Sequence, residues 1–227
     1  MFETQQDRSW TGFPTAGRLP LTSPLSVRPN LLLKQLVDIP VAVGISVAAL
    51  PIMALIALAI KLTSRGPVIH RRRVAGRGGV HFDAYKFRTM VPEADAWIQQ
   101  DPALKEAFTA KYKLARDPRV TKIGHVLRKL SLDELPQLVN VLKGQMSLIG
   151  PRMICPEELD KYGPFAEKLL TVKPGLTGLW QVSGRQKTTY DQRVRLDMYY
   201  IDNWSLALDL TILARTPLAV LRGEGAH

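Results

Sequence analysis

Arg128 to Arg152 reads RKLSLDELPQLVNVLKGQMSLIGPR and sets two adjacent carboxylates, Asp133 and Glu134, between basic residues at both ends. Behind them Leu135, Leu138, Val139 and Leu142 recur at helical spacing, which predicts a helix with one apolar face. Ser131-Leu132-Asp133-Glu134 has the spacing of a capping box, with Ser as N-cap and Glu three residues on. Two readings of the acid pair follow. Carboxylates in a first helical turn are stabilised by free N–H groups and the helix dipole, which accounts for them structurally. Alternatively, the same dipole keeps Asp133 ionised. Neighbours on a helix point about 100° apart, so one carboxylate can attack while the other holds a metal. Spacing alone leaves both open. Pro136 removes a hydrogen bond near the second turn, so the helix is expected to start later or to kink there. Lys143-Gly144 ends the apolar pattern. Gly150-Pro151-Arg152 then forms a turn carrying a guanidinium, a group that matches paired phosphate oxygens.

SLDELPQLVNVLKGQMSLIGPR, taken with YKFRTM (Tyr85 to Met90), DPRVTKIGHVLRK (Asp117 to Lys129) and KPGLTGLWQVSGR (Lys173 to Arg185), resembles the bacterial sugar transferase family. These are monotopic polyprenol-phosphate phosphoglycosyl transferases, which start glycoconjugate synthesis on a lipid carrier. The resemblance runs from Leu31 to His227 in the family's order. It implies an α-rich α+β fold: a monotopic membrane protein with an N-terminal re-entrant helix-break-helix and a cytoplasmic catalytic domain containing a small β-hairpin. The implied activity moves a sugar-1-phosphate from a UDP-sugar to polyprenol (undecaprenyl) phosphate and releases UMP, at the start of exopolysaccharide, O-antigen or glycoprotein glycan synthesis. Asp133 would be the nucleophile that forms a phosphosugar-aspartate, and Asp133 and Glu134 together would hold Mg²⁺. Lys86, Arg88, Arg128, Arg152, Gln181 and Arg185 would contact phosphate or substrate. The chain departs from the family pattern at Met153, where Pro is usual, and at Leu50, which precedes Pro51 where Ser is frequent. Larger family members carry several membrane spans ahead of the catalytic region, and this chain resembles the minimal catalytic form with a short extension.

Residues 1 to 30 contain Pro14, Pro20, Pro24 and Pro29 and no apolar periodicity, which predicts a flexible arm without the continuous apolar core of a signal peptide. Ile39 to Ile60 are 22 residues without a charge. As a helix they would measure roughly 33 Å, enough for a bilayer core of about 30 Å. Pro51 sits near the middle, and basic residues flank both ends (Arg28 and Lys34 before, Lys61, Arg65 and Arg71 to Arg73 after). A true span would concentrate them on one side. Both features favour a segment that enters one leaflet, breaks at Pro51 and returns to the cytoplasmic face of the inner membrane. Each half would reach about 16 Å. Asp38 has Lys34 one turn earlier as an expected partner. The expected organisation is an arm over 1–30, a re-entrant membrane helix over 31–65 and a catalytic domain over 66–227.

Residues 61 to 130 hold 16 Lys and Arg against 6 Asp and Glu, almost the whole formal excess of +11. Such a field suits anionic lipid headgroups, nucleotide diphosphates or nucleic acid. Within it, Val68 to Arg73 and Val80 to Arg88 are expected to pair as a hairpin across Gly76-Arg77-Gly78-Gly79, with Phe82, Ala84 and Lys86 on one face. Asp117-Pro118 is expected to open a helix running to Arg128, and Pro156 to Lys168 a short surface helix. Gly175, Gly178 and Gly184 punctuate a loop that carries Trp180, Gln181 and Arg185. Asp191 to Asn203 and Ser205 to Arg222 predict two final helices.

One cysteine, Cys155, excludes an internal disulfide, and His70, His81, His125 and His227 lack zinc-site spacing. No nucleophile elbow or dinucleotide fingerprint follows a strand. A nucleic-acid module would explain the charge but not the uncharged segment or the acid pair, so no nucleic-acid partner is expected. A silent membrane scaffold would explain the segment and its basic flank but predicts no Mg²⁺-dependent UMP release. The expected partners are a UDP-sugar, polyprenol phosphate and membrane lipids. The residues choose neither the sugar nor between a monomer and a homo-oligomer.

Overall fold

The computed structural model describes residues 31–100, 117–184 and 188–221. The arm over 1–30, residues 101–116, Arg185 and the C-terminal residues 222–227 lie outside them. The uncharged segment sits inside α1, Leu31–Thr63, a helix of 33 residues. Helical structure continues through Pro40 and Pro51, so the expected unwound break is absent and α1 is one helical element. A proline deletes one backbone bond and bends a helix locally, while the bonds on either side persist.

Both ends of α1 rest on the remainder of the chain. At the N-terminal end Lys34 Nζ donates to Asp209 Oδ2 at 2.6 Å, and Asp38 accepts from Ser147 Oγ at 2.5 Å. Lys34 still favours the charged form of Asp38, as expected, but the short contacts of both are with partners far away in sequence. Ala42 is fully buried in the main core. At the other end Ile56 and Ile60 bury against Phe87 and Leu127. Ala42 and Ile60 stand about 27 Å apart along the helix. Between them Val47, Leu50, Pro51 and Ile52 are exposed. So much bare apolar surface is unfavourable in water and favourable in lipid.

The hairpin forms as β1 (Ile69–Ala75) and β2 (His81–Phe87), antiparallel from Ile69↔Phe87 to Ala75↔His81. Phe82 and Ala84 bury on the inner face. Asn140, fully buried in α4 (Leu138–Leu142), extends this sheet with its side chain. Its amide oxygen accepts from Tyr85 N–H at 3.0 Å, and its amide nitrogen donates to the Asp83 carbonyl at 2.8 Å. This contact fixes β2 against the segment that carries the acid pair.

A second sheet, not expected from the sequence, pairs β3 (Ser147–Ile149) in parallel with β4 (Gly175–Thr177). The crossover passes through a 3-10 segment, Pro156–Phe165, and α5, Ala166–Leu169. This is more than a surface helix, because Tyr162, Lys168 and Leu169 are buried. The strands close because Gly150, Gly175 and Gly178 lack side chains. A Cβ on Gly175 would stand 2.1 Å from Gly150 N, and one on Gly178 would stand 2.0 Å from Gly150 O. Glycines that looked like loop punctuation are close-approach positions. They seat the Gly150-Pro151-Arg152 turn on β4, where Gly175 N–H donates to Pro151 O at 2.8 Å.

Of the remaining helices, α2 is Ala94–Gln100, α3 Lys122–Lys129 and α6 Leu179–Val182. The final two are α7, Tyr190–Asp202, and α8, Leu206–Leu221, as the pattern predicted. Leu196, Tyr200 and Ile201 of α7 and Ile212 of α8 join Val74, Leu138 and Leu148 in one core.

Candidate active site

The acid pair lies in a 3-10 segment, Leu132–Gln137, and α-helix begins only at Leu138. The expected capping box does not form: Ser131 is left-handed (φ 54°, ψ 20°) and its side chain caps nothing. Pro136 explains the late start, since it has no N–H for the α-helical ladder. A left-handed non-glycine residue beside two carboxylates is a locally strained backbone of the kind found at functional sites. Leu132 and Leu135 pack against the cluster built on Ile56 and Ile60 of α1. Asp133 and Glu134 are left to meet β2 and α3.

From β2, Lys86 Nζ donates to Glu134 Oε1 at 2.6 Å, with both side chains less than one-fifth exposed. Arg128, at the end of α3, reaches the site through Thr89, whose Oγ1 accepts from Arg128 Nε at 2.9 Å. The helix that delivers it begins later than expected. Thr121 is the N-cap and accepts from Gly124 N–H at 3.0 Å, while Asp117–Val120 is a turn in which Asp117 binds Arg119 through two oxygens. Pro118 lies in that turn and does not open the helix. Arg152 completes the group from the opposite side, with its Nη2 3.9 Å from Glu134 Oε1 and its guanidinium 5.1 Å from the centre of the Trp180 ring.

Asp133 is buried, 8% exposed, and desolvation pushes its carboxyl up from 3.8 to about 6. Lys86 and Arg128 pull it down, and Glu134 pushes it further up. At neutral pH it is therefore mostly ionised while shielded from water. Two carboxylates facing three cations form a place where an oxygen nucleophile and a polyanion can meet without the repulsion they would feel in solution. The pair also suits Mg²⁺, which keeps several waters and needs one or two carboxylates together with substrate phosphates. Among the described residues no group of three or more His, Cys, Asp or Glu gathers as a metal site, so the acid pair offers two protein ligands at most.

Arg88 stands elsewhere. Its guanidinium donates to the carbonyls of Ser64 and Arg65 and to Ser64 Oγ, at 2.6 to 3.1 Å, and so ties β2 to the end of α1 instead of facing an anion. Gln181 is buried in α6 near Gly178. Arg185 lies outside the described residues. Trp180 is buried, its indole N–H donating to Thr188 Oγ1 at 2.7 Å.

Sequence reasoning passed over Thr89, which lies inside YKFRTM, and a buried cluster behind Arg152 made of Glu158, Tyr162, Arg193 and Asp197. Arg193 and Asp197 are four apart on α7 and face one another, Nε to Oδ2 at 3.9 Å. Opposite charges at that spacing on the apolar side of a helix were the available signal.

The chain matches the bacterial sugar transferase family over residues 29–223. It is 42% identical over 198 residues to an exopolysaccharide production protein, ExoY, of Sinorhizobium fredii, a match covering 86% of this chain and 88% of that protein. It is 44% identical over 208 residues to the undecaprenyl-phosphate galactose phosphotransferase of Salmonella typhimurium, 89% of this chain and 43% of the relative. The chain thus spans under half the length of that larger protein. A UDP-glucose:undecaprenyl-phosphate glucose-1-phosphate transferase of Caulobacter vibrioides is 39% identical over 202 residues, 86% of this chain and 72% of the relative. With the family matched along nearly its whole length, this chain belongs to the bacterial sugar transferases.

Proposed function

We propose that the chain transfers a sugar-1-phosphate from a UDP-sugar to polyprenol phosphate at the cytoplasmic face of the inner membrane, at the start of polysaccharide synthesis. The observation that carries this reading is the buried Asp133 beside Glu134, faced by Lys86, Arg128 and Arg152 and packed through Leu132 and Leu135 on the apolar helix α1. Two of the relatives above are named for transfers on undecaprenyl phosphate.

In this reading an Asp133 carboxylate oxygen attacks the phosphorus that bears the sugar. A P–O bond forms, and the bond to the UMP oxygen breaks, its electrons leaving with UMP. An oxygen of the lipid phosphate then attacks the same phosphorus, and the Asp133–phosphorus bond breaks to restore the carboxylate. Arg152 and Arg128 hold the diphosphate oxygens, and Lys86 fixes Glu134 beside them. A Mg²⁺ ion held by Asp133 and Glu134 would neutralise charge between carboxylate and diphosphate.

The membrane arrangement in this reading is supported by the packing of α1. Its two ends pack on one body, through Lys34 with Asp209 and through Ile60 with Phe87, while its apolar middle is bare. In this reading α1 bends at Pro51 without unwinding, enters and leaves through the same leaflet, and sets the acid pair at headgroup level. Cysteines introduced one at a time before Lys34 and after Arg65 should both label from the cytoplasmic side; protection of either one points to a span instead.

UMP release by the purified protein in nanodiscs, with undecaprenyl phosphate, Mg²⁺ and a panel of UDP-sugars, tests the chemistry. Release should require Mg²⁺ and favour one donor, and Asp133→Asn should abolish it while the melting profile stays near wild type. Near-normal turnover of that variant removes Asp133 as nucleophile. Silence with every donor, from folded protein, removes the reading as a whole.

A further inference from the structure

Arg152 is held in an unusual way for a side chain that must meet a phosphate. Its nearest carboxylate, Glu134, is at 3.9 Å, beyond hydrogen-bond length, and its other support is the Trp180 ring. What fixes it lies behind the turn. Beside the Arg152 turn lies the Asp197 carboxylate, which is 1% exposed and whose charged form is favoured by the neighbouring guanidiniums of Arg193 and Arg152. The same carboxylate accepts from Tyr162 Oη at 2.7 Å and faces Arg193 Nε at 3.9 Å. Arg193 in turn lies 5.3 Å from the centre of the Trp180 ring that carries Arg152, and its Nη1 is 3.8 Å from Glu158. Glu158 also accepts from Arg72 at 3.1 Å. Three guanidiniums, of Arg72, Arg152 and Arg193, are thus gathered around two carboxylates, of Glu158 and Asp197. A buried charge persists only where such partners surround it.

We propose that Asp197 is a positioning residue for the transfer: its carboxylate balances Arg193, whose guanidinium packs on the Trp180 ring that carries Arg152, and so holds the Arg152 guanidinium toward the acid pair with its N–H groups open to a substrate phosphate. The proposal rests on the reading of Arg152 as a phosphate contact. Tyr162 holds Asp197, Asp197 holds Arg193, and Arg193 packs on the Trp180 ring against which Arg152 lies. A displacement of about 1 Å in a group that orients substrate is enough to slow a reaction roughly a hundredfold.

The test is a cycle of Asp197→Asn, Arg152→Lys and the double variant, each measured for UMP release in nanodiscs over a range of UDP-sugar concentrations. Asparagine keeps an acceptor oxygen but loses the charge that orders Arg193. Asp197→Asn alone should raise the donor KM and lower kcat/KM about tenfold or more; in the Arg152→Lys background the same change should cost less than about threefold, because coupled residues are not additive. Should Asp197→Asn fail to fold, Tyr162→Phe removes one hydrogen bond to the carboxylate and carries the test, with a smaller loss and the same non-additivity. Equal losses in both backgrounds, or a fall in kcat with donor KM unmoved, overturn the positioning role and leave the transferase reading intact. Wild-type kinetics for Arg152→Lys overturn the assignment of Arg152 and this proposal with it, while Mg²⁺-dependent UMP release would still stand.

Discussion

Gly124→Ala tests whether α3 places Arg128 through the Thr89 contact. A Cβ at Gly124 would stand 2.1 Å from the Thr89 carbonyl oxygen, 2.8 Å from its carbon and 2.9 Å from Thr121 Oγ1. Non-bonded carbon and oxygen settle at more than 3 Å, so α3 must retreat from the end of β2 by about 1 Å. The obstacle is backbone, which no rotamer change can clear. That same carbonyl accepts Thr121 N–H at 2.9 Å, and the Thr89 hydroxyl holds Arg128 Nε at 2.9 Å. A retreat of about 1 Å takes the second contact past hydrogen-bond length and draws the guanidinium away from Asp133. Overpacking of this kind costs about 1–3 kcal/mol in stability, and misplacement of the cation about a hundredfold in turnover. UMP release in nanodiscs measures the second effect and a thermal melt the first. Gly44→Ala is the control, since a Cβ there meets nothing within 4 Å, and its turnover should match the parent. Full turnover in Gly124→Ala would refute the placement of Arg128 by close contact between α3 and Thr89.

Two further perturbations separate charge from packing. Lys86→Met keeps most of the side-chain volume and removes the partner of Glu134, leaving a mostly buried carboxylate beside Asp133; turnover should fall by tenfold or more, and retention of activity would detach Lys86 from the site. Asp197 is raised from 3.8 to about 6 in the folded chain, mainly by burial. The native state therefore binds its proton more tightly than the unfolded state, and stability falls as pH rises from about 4 to about 6, by up to roughly 3 kcal/mol from this one group. In Asp197→Asn that part of the pH dependence should vanish, so from pH 4 to pH 7 the wild-type melting temperature should fall relative to the variant's; parallel profiles would contradict the buried carboxylate.

The elements whose apolar pattern was long and regular were legible in the sequence. The uncharged run of α1, the hairpin with Phe82 and Ala84 inward, and the final helices α7 and α8 all stand where spacing put them. Short elements were not. The 3-10 segment at Leu132–Gln137 carries a capping-box sequence, but Pro136 and the left-handed Ser131 override it. The parallel pair of β3 and β4 is three residues a side, too short for a period to show, and depends on glycines whose role is visible only when two loops meet. In the site, adjacency within the chain revealed Asp133 with Glu134. Arg152, 18 residues from Glu134 in sequence, stood out as a guanidinium after a turn, and Lys86, 48 residues away, through the resemblance; folding was needed to see both facing Glu134. Arg88 shows the limit of motif reading, since it shares YKFRTM with Lys86 but points along the strand to the end of α1.

The position of the acid pair links membrane contact to chemistry through one short segment. Leu132 and Leu135 flank Asp133 and Glu134 and pack on the cluster of Ile56 and Ile60, so in the proposed membrane arrangement a tilt of α1 would reach the carboxylates without an intervening loop. Arg88 reinforces that link by holding the carbonyls of Ser64 and Arg65 at the point where α1 ends, one residue beyond the strand that carries Lys86. Cations from β2 and α3 and the carboxylates between them are thus referred to the same helix end. A lipid phosphate is confined to the depth of the headgroups, and a soluble diphosphate is not. A site whose nucleophile is fixed relative to the membrane helix can meet both at one depth, whereas a site on a flexible domain would have to search for its lipid in each turnover.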